Sequence, residues 1–305
     1  MFRIILYLLL IISPFFFTGV INKIKAVWAG RKGSPLLQNY YDFFKLIKKG
    51  EVISKTTTFI FIIAPSINAA AVLISLLIIP LPYMGAIISF PGDFVLFAYI
   101  LGFAKFMTVL AALDTGSSFE GMGAGREVTF SSIVEPAFFI IIGSLALITN
   151  ELSFQSIFNI INGAAGYTIL IKILFVVSLF IMLVTEGSRI PVDDPNTHLE
   201  LTMIHEVMIL DYSGPDLAFM LYSSALKMLV ISMLVANLLI PSSFSLPAVL
   251  ILFLVIILLV FMAIGLVESL IARSRISHIP QFIFIMTALS LTVFAVIVFF
   301  IFGGI

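Results

Sequence analysis

Eight uninterrupted apolar stretches, each about as long as a bilayer is thick, constrain this 305-residue chain more than any other feature. A helix needs roughly 20 apolar residues to cross the hydrocarbon core of a membrane. The stretches cover residues 4–20, 58–79, 94–113, 133–149, 168–185, 217–240, 248–271 and 282–302. They are continuous rather than alternating, so they predict helices and not the strands of a barrel. The first lacks a small-residue cleavage site and leads directly into further spans, which predicts a retained helix rather than a signal peptide. The expected fold is an all-α integral membrane protein: one membrane domain over residues 1–305 with eight transmembrane helices. Composition agrees, since 10% of residues are charged and 61% apolar, against about a quarter charged in water-soluble domains.

Basic residues set the expected orientation. The first connection carries Lys23, Lys25, Arg31, Lys32, Lys45, Lys48, Lys49 and Lys55; the third carries Arg126, the fifth Arg189, and the seventh Arg273 and Arg275. The second, fourth and sixth connections carry neither Lys nor Arg. This alternation predicts odd connections in the cytoplasm and both termini outside. Within the first connection, Gln38, Asp42, Lys45 and Lys49 recur at helical spacing opposite Leu37, Phe44 and Ile47. That pattern predicts a short amphipathic helix at about residues 36–49, lying on the membrane surface or against a partner.

Charge is scarce, so its placement is informative. Most acids gather in or beside the third and fifth connections: Asp114, Glu120, Glu127, Glu186, Asp193, Asp194, Glu200, Glu206, Asp211 and Asp216. Lys105, Lys172, Lys227, Glu135 and Glu268 fall inside spans. Lys172, near the outer end of its span, suits snorkelling to the interface. Lys105 and Lys227 lie mid-span and call for a buried partner or hydration. Glu135 precedes Pro136, which disfavours helical backbone at Glu135 and suggests a helix beginning at the proline, its dipole favouring the carboxylate.

Other chemistry is narrowed by elimination. The chain has no cysteine and three histidines, which removes thiolate-ligated clusters and disulfides from this chain and argues against haem. His198 and His205 are two turns apart in a helical-looking run over 196–210, about 10 Å along the axis, too far for one metal, and no H-E-x-x-H pattern occurs. With Glu200 and Glu206 they suit a hydrated acid–base cluster better. The glycines of 116–127 lack the G-K-[ST] ending of a phosphate loop and predict a tight turn instead. No internal repeat is evident, which disfavours an inverted-repeat transporter.

Several segments resemble a known family. Arg31-Lys32-Gly33-Ser34-Pro35 with Gln38, Asp42 and Lys45-Leu46 is similar to the H subunit of NADH–quinone oxidoreductase, respiratory complex I. So are Glu186 with Arg189-Ile190-Pro191-Val192-Asp193, Gly123-Ala124-Gly125-Arg126 followed by Glu135, and Asp211-Tyr212-Ser213-Gly214. The third connection, 114–127, and the run from Asp193 through His198 and Glu200 to His205 and Glu206 resemble one branch more closely. That branch is the membrane subunit of energy-converting [NiFe]-hydrogenases, of the formate hydrogenlyase subunit 4, membrane-bound hydrogenase or sulfane reductase type.

The resemblance implies a multi-pass subunit of a prokaryotic cell membrane, without a cofactor of its own. It would anchor a cytoplasmic redox arm of small iron–sulfur and large hydrogenase-like subunits, with iron–sulfur clusters and a [NiFe] site held by those partners. Antiporter-like membrane subunits and lipid would complete its surroundings, with no nucleic acid. Glu135, Glu186, Asp193, Glu200 and Glu206 would form an acidic funnel with Arg126 and Arg189 as counter-charges. Asp114, Glu127, His198, His205, Lys105 and Lys227 join them as candidate coupling residues. No catalytic or metal-binding residue is expected, so the chain would be a non-catalytic part of an oxidoreductase complex. The alternatives are a quinone-site subunit of a complex I-type NADH– or ferredoxin–quinone oxidoreductase and an independent transporter using Lys105 and Lys227.

Overall fold

A computed structural model describes residues 2–163, 168–193, 203–241, 244–272 and 274–302. Twelve α-helices occur among them: α1 (Phe2–Ile12), α2 (Pro14–Trp28), α3 (Gln38–Ile47), α4 (Phe59–Ile78), α5 (Asp93–Asp114), α6 (Ser118–Thr149), α7 (Phe154–Gly163), α8 (Thr168–Glu186), α9 (His205–Met208), α10 (Gly214–Leu239), α11 (Leu246–Leu270) and α12 (Ile279–Phe302). Seven are long and apolar enough to cross a membrane, and the bent pair α1–α2 passes the same test when taken together. Helices lie over each of the eight apolar stretches, α6 beginning well before its own. α3 matches the amphipathic helix; α7, which tucks Phe154, Ile157, Phe158 and Ile161 into the core, was not foreseen.

The bundle is built around α10, of whose most apolar stretch 72% is buried, against 28% for the segment containing α12. α2, α3, α4, α7, α8 and α11 all pack on α10, while α5 and α6 extend the bundle and α12 closes it against α6 and α8. Small and medium apolar side chains line α10 on every side, as expected for a helix with no lipid-facing stripe.

Prolines inside and between spans free carbonyls that must find new donors in a medium without water. Pro14 removes the amide that would bond Leu10, and the chain bends 46° between α1 and α2. Three carbonyls around that bend are satisfied by side chains: the Ser13 hydroxyl donates to Leu10 O at 3.1 Å, Tyr222 to Ile11 O at 2.7 Å, and Tyr40 of α3 to Ile12 O. Pro65 lies inside α4 and has no amide to offer Phe61 O. The Tyr212 hydroxyl donates there instead, at 2.9 Å, with its ring stacked on Phe61 at 4.0 Å between centroids.

Three expectations are corrected. The first span is not a straight helix over 4–20 but a bent pair, because Pro14 interrupts it. The expected tight turn is confined to Gly116, which stands at positive φ between α5 and α6, whereas Gly121, Gly123 and Gly125 lie within a helix. No helix starts at Pro136, because α6 runs unbroken from Ser118 to Thr149 with Pro136 inside it. The glycines serve close packing. A Cβ on Gly123 would stand 2.2 Å from Val207 Cγ1 and 2.9 Å from Ile204 O. Only hydrogen at that position lets α6 meet the α9 segment.

Candidate functional site

Where α5, α6, α8 and α10 converge, four ionisable side chains form a chain of ion pairs. Glu186, the last residue of α8, places one carboxylate oxygen 2.6 Å from Lys105 Nζ of α5 and the other 3.4 Å from Lys227 Nζ of α10. Lys105 also lies 3.8 Å from Glu127 of α6. All four side chains are at most 15% exposed. Two acids and two bases cancel, which is what allows them to sit among apolar helices; one of them unpaired would be strongly destabilising. Two neighbouring features shape the site. A Cβ on Gly187 would meet Met228 at 2.8 Å, so this glycine lets the end of α8 close onto α10. Glu135 lines a cavity of about 70 Å³ with Lys105, Glu186 and Gly102, but its own side chain is exposed on the α5–α6 face. Glu135 therefore stands at the mouth of the cluster, its carboxylate facing Gly102 and its charge acting on Lys105.

After α8 the chain turns sharply, with Ser188 at positive φ and the Arg189 amide donating to Val184 O. Asp193, almost fully buried, then accepts the backbone amides of Ile204 at 3.1 Å and His205 at 3.0 Å. A carboxylate on the first amides of α9 is favoured by their unpaired N–H groups. Asp193 thereby fixes the segment that carries His205 and Glu206. Arg126 of α6 braces the same segment from the other side, donating to Met203 O at 2.7 Å.

His205 and Glu206 open on a cavity of about 250 Å³ between α2, α3 and α10, whose polar lining includes Asn39, Asp42, Ser188 and Arg189. Burial, and then the positive charge of Lys227, depress His205 to about 4 against the opposing effect of Asp193 and Glu186. Burial, and then the Asp193 carboxylate, raise Glu206 to about 7 although Arg189 pulls the other way. Near neutral pH His205 is thus uncharged, and Glu206 exchanges a proton in the physiological range.

Among the described residues, the expected coupling residues fall into two adjoining groups. Glu186, Glu127, Lys105 and Lys227 meet directly; Asp193, His205 and Glu206 form an adjoining group. Asp114 belongs elsewhere: it accepts the Thr58 amide at 2.6 Å and the Thr58 hydroxyl at 2.9 Å, joining the end of α5 to the start of α4. Arg189 and Arg126 do not pair with Glu186, whose counter-charges are Lys105 and Lys227. The helical run expected over 196–210 is a helix only at His205–Met208 among the described residues. Asp194, His198 and Glu200 lie outside those residues. Sequence reasoning gave no site role to Glu268 and Lys25. The Glu268 side chain is fully buried, 2.8 Å from Lys25 Nζ and 3.6 Å from Arg189 Nη1. Its signal was present: Glu268 is the one charged residue in the 25 of α11.

Among the described residues no group of three or more His, Asp or Glu side chains suits a metal ion. Fold and site together define a multi-pass helical membrane protein that holds paired charges inside the bundle and a proton-exchanging carboxylate at its charged end. The chain belongs to the NADH dehydrogenase family, whose model matches residues 2–300. It is 30% identical over 299 residues to hydrogenase-4 component C of Escherichia coli (strain K12), covering 93% of this chain and 91% of that protein. It is 24% identical over 225 residues to formate hydrogenlyase subunit 4 of the same organism, covering 73% and 72%. Among solved structures it shares its fold, at a TM-score of 0.82 and 19% identity, with a chain of the membrane-bound sulfane sulfur reductase, an archaeal respiratory membrane complex. That likeness covers 96% of this chain and 97% of the other. The family resemblance read from the sequence is thus confirmed, and the chain is a multi-pass protein of a prokaryotic cell membrane.

Proposed function

We propose that this chain is the membrane anchor and coupling subunit of a multi-subunit respiratory complex of the energy-converting hydrogenase type. A redox arm docks over the end of the bundle that carries α3, α9 and the Arg189 turn, on the cytoplasmic side, with both termini opposite. Antiporter-like subunits stand beside it in the membrane and move protons or sodium ions. Having no cysteine, the chain leaves iron–sulfur clusters and any [NiFe] centre to those partners.

The observation that carries this reading is the buried chain Glu127–Lys105–Glu186–Lys227 beside a carboxylate that exchanges a proton near neutral pH. Lys105 has two carboxylates within 4 Å, on different helices, and Glu186 has two ammonium groups. Such a set has more than one balanced arrangement. A change of charge at Glu206 would reach it through the shared neighbours Asp193 and His205, since His205 also feels Lys227, Glu186 and Lys105. Glu135 then passes the change to a neighbouring subunit on the α5–α6 face. Glu200 and His198 extend the same series of coupling residues. Relatives named as components of hydrogenase complexes support the assignment.

The test is Glu186→Gln in the assembled complex, in sealed vesicles. Redox turnover should persist in part while ions moved per turnover fall; an unchanged ratio at full turnover overturns the proposal. A quinone-site role draws on the cavity lined by Phe15, Phe43 and Leu46. Its volume of about 250 Å³ falls short of the roughly 300–1,000 Å³ usual for small-molecule pockets, which favours coupling. Saturable inhibition by a quinone analogue would reverse that preference.

A further inference from the structure

Glu268 is buried in the middle of an arrangement that the coupling cluster does not use. Its side chain has no exposed surface, and its two oxygens face cations from two other parts of the chain. Lys25 reaches it from α2 at 2.8 Å, and Arg189 reaches it from the turn after α8 at 3.6 Å. The packing is made for this meeting. One turn before Glu268, a Cβ on Gly265 would stand 3.0 Å from Ile24 Cβ and 3.3 Å from Ile21 O, so glycine is what brings α2 close enough for Lys25 to arrive. The Arg189 side chain is 12% exposed and its Nε has no hydrogen-bond partner. On its other side Arg189 lines the 250 Å³ cavity together with Glu206, His205 and Asp42.

Arg189 therefore stands between a fixed carboxylate behind it and a proton-exchanging carboxylate in front. We infer that Glu268 is a positioning residue: it holds Arg189 back and absorbs part of its charge, and Lys25 in turn limits how much Glu268 can absorb. The three side chains together set the proton affinity of Glu206. The groups facing Glu206 are Arg189 and Ser188 from the turn, Asn39 and Asp42 from α3, the neighbouring His205, and Asp193 at the start of α9; the α10 residues on the cavity wall are uncharged. Arg189 is the one cation among these described neighbours, so control of Arg189 is control of the carboxylate.

Opposite signs follow for two substitutions that break the same network. Glu268→Gln removes the fixed counter-charge, leaves Arg189 to act fully on Glu206, and favours the carboxylate. Lys25→Met leaves Glu268 wholly to Arg189, neutralises it further, and favours the carboxylic acid. A role in stability alone would weaken the protein in both variants without this opposition.

The inference builds on the proposed coupling role, and infrared titration of the purified complex tests it separately. The Glu206 carboxyl band is assigned as the one lost in Glu206→Gln. Its midpoint should move down by about 1 pH unit in Glu268→Gln and up in Lys25→Met, an effect at the small end for one nearby charge, with Glu268→Asp returning it toward the parent value. Midpoints that stay in place, or that move together, overturn the inference. If Glu268→Gln fails to assemble, Lys25→Met alone decides: an upward move supports the inference and any other result overturns it. Should the complex prove to move no ions, the coupling role falls while the infrared midpoints still settle what Glu268 does.

Discussion

Replacing Tyr212 with Phe removes one oxygen and tests how this fold tolerates a proline inside a membrane helix. The ring stack on Phe61 is retained, since only the hydroxyl is lost. The Phe61 carbonyl, already deprived of its helical donor by Pro65, then has no partner in a buried place. Leaving a buried acceptor unpaired costs about 1–3 kcal/mol in water-soluble proteins. Hydrogen bonds between membrane helices average nearer 0.6 kcal/mol, reaching about 1.7. Tyr212 is 4% exposed and the donated bond is 2.9 Å long, so a loss of about 1–1.5 kcal/mol is expected. Unfolding in mixed micelles, titrated with SDS and followed by far-ultraviolet circular dichroism, measures it. The second arm is decisive. Pro65→Ala restores an amide that can bond Phe61 O, so Tyr212→Phe should cost only a few tenths of a kcal/mol in that background. Equal losses in both backgrounds would refute the claim that Tyr212 replaces the bond that Pro65 cannot make.

Two further outcomes are expected. Gly123→Val should destabilise the chain by about 1–3 kcal/mol, because α6 and the α9 segment must separate to admit a Cβ, whereas Gly125→Ala, which meets nothing within 4 Å, should be close to neutral; equal losses in the same micelle titration would refute the close-approach argument. The raised Glu206 binds more protons folded than unfolded between about 4.5 and 7, so its contribution to stability is fully present below that window and is lost as pH rises through it. Glu206→Gln should remove that fall, leaving the opposite slope of His205, whose depressed value makes stability rise with pH between about 4 and 6.5; thermal unfolding of parent and variant across pH 4–8 reads the difference.

Apolar length carried most of the fold in advance, because a bilayer demands it whatever the tertiary contacts are. Its failures fall where a local rule met a tertiary partner. Pro136 was read as a helix start, yet α6 passes through it: the lost bond can be absorbed where neighbouring turns hold the helix on both sides. The glycines before Arg126 look the same in sequence whether they shape a turn or admit another segment, and only the position of Val207 and Ile204 distinguishes the two. α7 was missed because its ten residues are too few to register as a span. Within the site, the lone lysines of α5 and α10 were visible as charges needing partners, but that both would meet Glu186 depends on how three helices rotate. Glu268 was equally conspicuous; its link to Arg189 depends on Gly265 admitting α2, which no spacing along α11 reveals.

The length of α6 has a mechanical consequence. Thirty-two residues at 1.5 Å each make a rod of about 48 Å, well beyond the roughly 30 Å of hydrocarbon it must cross. The surplus includes Gly123, Arg126 and Glu127, and it is this protruding part that grips the α9 segment. A rigid rod converts rotation into travel: tilting it by about 5° about its far end moves the gripping end by about 4 Å. That distance is comparable to the whole separation between Lys105 and Glu127, so a slight lean of one helix is enough to make or break an ion pair at the other end of the beam.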